Sequence, residues 1–84
     1  MLGQPRTLLE KLLISVRGLV PGIHEHERKG YVRLEYGGKT LAYIDGMEKL
    51  KIKLANGEKR VLEGENLAEI RACSLWILGL EQPS

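Results

Sequence analysis

His24 and His26 are the only histidines in the chain, and Glu25 and Glu27 alternate with them. In an extended segment, residues two apart point the same way. Both imidazoles would then share a side, as metal ligands or an acid–base pair must. Imidazole titrates near neutral pH, which suits proton transfer. A metal centre needs a third protein ligand, and here only Cys73 or a carboxylate could supply it. In a small nuclease-like or toxin-like enzyme, Arg33 could hold a phosphate beside the two imidazoles. The plainer reading is an exposed polar loop, and it is preferred. No catalytic residue, metal or cofactor is therefore assigned.

A second group of residues points to a different chemistry. Arg33, Lys49, Lys51, Lys53 and Arg60 fall at positions expected to share one face of a sheet, with Tyr31 nearby. Regularly spaced cations can track phosphates, and an exposed aromatic ring can stack on a base. Glu35 and Glu58 are expected on the same face and dilute its field. The alternatives are a solvated face whose lysines discourage edge pairing, or a contact with an acidic protein. The partners expected are a nucleic acid or an acidic protein.

Three further features have structural explanations. Gly37-Gly38-Lys39-Thr40 resembles the end of a phosphate-binding loop, but that motif needs a glycine where Arg33 stands and a helix starting at Lys39. Its glycines are those of a hairpin turn. Cys73 sits on an apolar helical stripe, where a buried structural thiol is expected. Trp76 is either core or an anchor between two copies of the chain.

These groups must be positioned by a small set of elements. Thr7 and Glu10 form a capping box, and Leu8, Leu9, Leu12, Leu13, Val16, Leu19 and Val20 follow at helical spacing until Pro21-Gly22. Ile23 to Gly30 reads as a loop, at most with a short strand. Tyr31 to Tyr36 then alternates. Gly37-Gly38 makes a two-residue turn, and Lys39 to Asp45 returns, setting Leu34 opposite Leu41 and Val32 opposite Tyr43. A second hairpin runs from Lys49 to Ala55, turns at Asn56-Gly57 and returns over Glu58 to Glu63. It sets Ile52 opposite Val61, Leu54 opposite Lys59, Lys53 opposite Arg60 and Lys51 opposite Leu62.

Asn66 caps a last helix with Leu67, Ile70, Cys73, Ile77 and Leu80 on its stripe. Ser74 to Leu80 could instead be a short buried strand. Leu75, Trp76, Leu78 and Leu80 provide more apolar surface than one helix face needs, and are the residues through which a homodimer would form.

The 84 residues make one α+β domain, 1–84, in the order α-β-β-β-β-α. A four-stranded antiparallel meander with both helices on one face is expected. Such a short chain buries only about 60–65% of its unfolded surface, so a homo-oligomer is expected to complete the core. The composition is 43% hydrophobic and 29% charged, that of a soluble globular protein, with a net charge of +2. One cysteine rules out an internal disulfide framework. Pro5, Arg6, Glu10 and Lys11 break any secretory-signal pattern, and no window suits a membrane span. A cytoplasmic protein is the expectation. Few Asn, Gln, Cys and Met beside many Lys, Glu and Leu lean towards a heat-adapted source.

The run Pro21-Gly22-Ile23-His24-Glu25, then Gly30-Tyr31-Val32-Arg33-Leu34-Glu35-Tyr36-Gly37-Gly38-Lys39-Thr40-Leu41-Ala42-Tyr43-Ile44 and Leu50-Lys51-Ile52-Lys53, resembles the opening of MmcQ/YjbR-like proteins and of the TfoX N-terminal domain. The likeness spans about the first two thirds of the chain. The present chain is shorter and lacks the aromatic residues often found before the first strand of those families. The resemblance implies an α+β domain of a kind sometimes described as DNA-binding, and it carries over no catalytic residues. A binding module is favoured over an enzyme.

Overall fold

The computed structural model describes residues 7–46 and 48–80. Pro5, Arg6 and the two ends of the expected 1–84 domain lie outside the described residues. Helix α1 covers Leu8–Leu19. It starts where Thr7 Oγ1 accepts the Glu10 backbone N–H at 3.2 Å, the Thr7 half of the capping box. Leu8, Leu12, Leu13 and Val16 form its buried stripe. Val20 turns extended and its N–H still bonds the Val16 carbonyl at 2.9 Å, closing the helix before Pro21.

Five strands follow, β1 (His24–Arg28), β2 (Tyr31–Tyr36), β3 (Lys39–Asp45), β4 (Lys49–Leu54) and β5 (Lys59–Glu63). They form one antiparallel sheet in chain order. The expected loop over Ile23–Gly30 is thus largely a strand, and the meander has five strands instead of four. His-Glu-His-Glu-Arg shows no apolar alternation because β1 is an edge strand that puts no side chain into the core cluster. Lys29-Gly30 turns it back into β2, with Gly30 at φ +89°, where a side chain would be strained.

The registers differ from expectation by one residue in both later hairpins. Gly37 and Gly38 both have positive φ, as a two-residue turn requires, and Tyr36 pairs with Lys39. Beyond Glu35–Thr40 a β-bulge intervenes. Leu41 is the extra residue, so Ala42 pairs with Leu34 and Ile44 with Val32. The expected Leu34–Leu41 and Val32–Tyr43 pairs are displaced. Ala42 and Ile44 are buried in their place, and Tyr43 faces out.

In the β4–β5 hairpin, Ala55-Asn56-Gly57 is a three-residue loop. Gly57 N–H bonds the Leu54 carbonyl at 2.9 Å and Leu54 N–H bonds the Glu58 carbonyl at 2.8 Å. A two-residue turn would demand positive φ at Asn56 as well as at Gly57. Among the described residues only glycines adopt it. Lys53 therefore pairs with Lys59, Ile52 with Arg60, Lys51 with Val61 and Leu50 with Leu62, in place of the four expected pairs. Leu62 is buried and Val61 is exposed.

Helix α2 covers Leu67–Ile77, with Asn66 Oδ1 accepting the Glu69 N–H at 3.1 Å. Ser74 to Ile77 is helical, which excludes the strand alternative. Gly79 at φ +73° ends the helix. Its N–H bonds the Trp76 carbonyl and the Leu80 N–H bonds the Leu75 carbonyl, the pairing of a Schellman motif. Ile70, Cys73, Ser74, Trp76 and Ile77 are buried. Ser74 Oγ donates to the Ile70 carbonyl at 2.8 Å and lies 2.8 Å from Ser15 Oγ of α1. This small hydroxyl pair joins the two helices.

One hydrophobic cluster unites α1, α2 and strands β2 to β5. Outside it, Arg17 of α1 forms an ion pair with Glu25 of β1. Hydrogen bonding to Glu25 and its charge raise the Arg17 guanidinium above its usual range. No helix among the described residues is long and apolar enough to cross a membrane.

Candidate nucleic-acid interface

Strand alternation divides the polar side chains between two faces. The core positions are Val32, Leu34, Ala42, Ile44, Leu50, Ile52, Leu54 and Leu62. The alternate positions align across the sheet in rows perpendicular to the strands. One row reads His26, Arg33, Tyr43, Lys53, Lys59. The next reads Arg28, Tyr31, Asp45, Lys51, Val61. Adjacent strands are about 4.8 Å apart, so the first row extends roughly 19 Å.

Six cations occupy this face: Arg28, Arg33, Lys49, Lys51, Lys53 and Lys59. Three carboxylates accompany them: Glu35, Asp45 and Glu63. The face alone exceeds the +2 net charge of the whole chain. The cations are not equally available. Arg33 NH1 donates to Glu35 Oε1 at 3.1 Å and to Thr40 Oγ1 at 3.0 Å, which holds the guanidinium in place. His26 Nε2 lies 2.9 Å from the same Glu35 oxygen without hydrogen-bond alignment. Lys49 is 3.7 Å from Glu63. Lys51, Lys53 and Lys59 make no ion pair among the described residues and are exposed. Between these cations, Tyr31 and Tyr43 meet edge to face, with ring centroids 6.0 Å apart and planes inclined by 61°. Each tyrosine is 39% exposed.

Of the residues singled out from sequence, Tyr31, Arg33, Lys49, Lys51 and Lys53 occupy this face together. Arg60 does not. It pairs with Ile52, a core position, and its guanidinium lies 4.5 Å from the centre of the Trp76 ring. Glu58 precedes β5 in the turn and is also absent from the face. Sequence reasoning missed Lys59, Tyr43 and Arg28, and placed His26 in a loop instead of on this face. The basic–acidic alternation of His24 to Arg28 was a usable period-two signal for the edge strand. The displacement of Lys59 was readable only by weighing a three-residue loop at Asn56-Gly57. Nothing in the residues marks the bulge that turns Tyr43 outward.

His24 and His26 do share a side, opposite Glu35 and Arg33. Among the described residues no group of three His, Cys, Asp or Glu side chains is placed to hold a metal, and Cys73 is buried in the core. The set named as a dimer contact is dispersed. Trp76 is buried, and Leu78 packs against the core cluster. Leu75 is half-buried, and Leu80 is exposed beyond the helix cap. Trp76 therefore acts as core, because α2 turns its ring inward beneath Arg60. Comparison with family models, with curated proteins and with solved structures returned no match.

Proposed function

We propose that this chain is a nucleic-acid-binding module that engages phosphates with its cationic sheet face, while both helices cover the opposite face. The observation that carries the reading is the Lys53–Lys59 pair. These lysines stand directly opposite each other on neighbouring strands, with no carboxylate between them. Like charges so placed destabilise a sheet, and a bound polyanion turns that repulsion into attraction. A violation of local sheet chemistry of this kind is expected at a functional site. Lys51 adds a third unpaired cation, and Arg33 is pre-oriented by Glu35 and Thr40. Each phosphate neutralised releases condensed counterions, so affinity should fall steeply with salt.

The test is fluorescence anisotropy of labelled oligonucleotides at low and at physiological salt. The expected result is salt-sensitive binding that disappears when Lys51 and Lys53 are both changed to Glu. Binding indifferent to salt, or unaltered in that double variant, overturns the reading.

A further inference from the structure

We infer that the nucleic acid this face takes is single-stranded, with its bases stacked on Tyr43 and Tyr31 and its phosphates on Lys53, Lys59 and Arg33. This rests on the nucleic-acid reading and goes beyond it by naming the ligand's form. The first argument is one of size. Direct reading of duplex DNA requires an element narrow enough to enter a major groove about 12 Å wide. The row from His26 to Lys59 runs roughly 19 Å across five hydrogen-bonded strands, so the face can only lie across a duplex. It would then reach the phosphates and leave the rings without a partner.

The second argument is the placement of the rings. Tyr43 stands between Arg33 and Lys53 in the same row, and Tyr31 lies diagonally next to it. In a duplex the base faces are closed by stacking, whereas a single strand offers them to an aromatic platform flanked by cations. At 61° to each other, the two rings present differently inclined faces and suit two successive nucleotides, not one. In the next row Asp45 stands directly opposite Tyr31 and Lys51 and offsets part of the cationic charge there, whereas the row of Arg33, Lys53 and Lys59 holds no carboxylate. The backbone is thereby directed on to the row of Arg33, Lys53 and Lys59.

The experiment is an anisotropy titration of labelled oligothymidylate and of a duplex of equal length, with heparin as a base-free competitor. Wild type is compared with Tyr43→Leu, Tyr31→Leu and Tyr43→Phe, each checked for folding by its thermal transition. The single strand is expected to bind about tenfold tighter than the duplex at equal salt, and each leucine variant to lose about tenfold for the single strand. Heparin binding should be unchanged in all of them, and Tyr43→Phe should keep the single-strand affinity. Equal binding of duplex and single strand, or oligothymidylate binding unaffected by both leucine variants, overturns the inference while leaving the cationic-face reading in place. Failure to bind any of the three polyanions overturns both.

Discussion

Arg60 and Trp76 are locked together, with the guanidinium 4.5 Å from the centre of the indole ring. This joins the edge strand β5 to the helix α2 and keeps one cation off the cationic sheet face. A cation–π contact at such an exposed site contributes about 0.5–1 kcal/mol. Arg60→Gln should therefore lower stability by about that amount in urea denaturation. It should also leave oligonucleotide affinity unchanged. An affinity loss comparable to that of a lysine variant would place Arg60 among the ligand contacts after all.

The three unpaired lysines should be distinguishable from Lys49, which Glu63 already neutralises in part. Lys53→Gln should flatten the dependence of log affinity on log salt by about 0.7–0.9. Lys49→Gln should change it less. The two slopes, measured over the same salt series, decide the point. Equal slopes would show that the Glu63 pairing does not matter.

Two glycine substitutions should act in opposite directions. A Cβ on Gly46 would stand 2.3 Å from the Lys49 carbonyl oxygen, and the backbone there has φ +97°. Gly46→Ala should destabilise by about 1–3 kcal/mol. Gly18 lies within α1, with nothing inside 4 Å of an added Cβ. Gly18→Ala should stabilise by about 0.5–1 kcal/mol. Thermal midpoints moving the same way for both variants would contradict the turn or the helix.

The Ser15–Ser74 contact should be sensitive to both polarity and volume. Ser74 is fully buried, and its hydroxyl bonds the Ile70 carbonyl and meets Ser15. Ser74→Ala should cost about 1 kcal/mol. Ser74→Leu should cost more, about 1–3 kcal/mol, by forcing the helices apart. A leucine variant as stable as wild type in denaturant would show that the helices have room to spare.

Elements were legible where their signals are local. Thr7 and Asn66 mark the helix starts, Pro21 marks a stop, and Lys-Leu-Lys-Ile-Lys-Leu marks β4 by its own alternation. Which residues of one strand share a side is likewise local, so Tyr31 and Arg33 were grouped correctly, as were Lys49, Lys51 and Lys53. Which side of the next strand joins them is decided by the connection between strands, and there the reading went astray. The three-residue loop Ala55-Asn56-Gly57, in place of a two-residue turn, exchanged Arg60 for Lys59 on the cationic face. The bulge at Leu41 exchanged an expected inward Tyr43 for an outward one. The edge strand escaped because its signal is an alternation of charge and not of hydropathy.

The bulge also uncouples the hairpin tip from the cationic face. Pairing counted from the Gly37-Gly38 turn is out of step with the inward positions Ala42 and Ile44, and Leu41 absorbs the difference. The orientation of Tyr43 is therefore held by its own strand partners beyond Leu41, and not by the turn. A substitution confined to the Gly37-Gly38 tip should therefore leave Tyr43 on the side it now occupies.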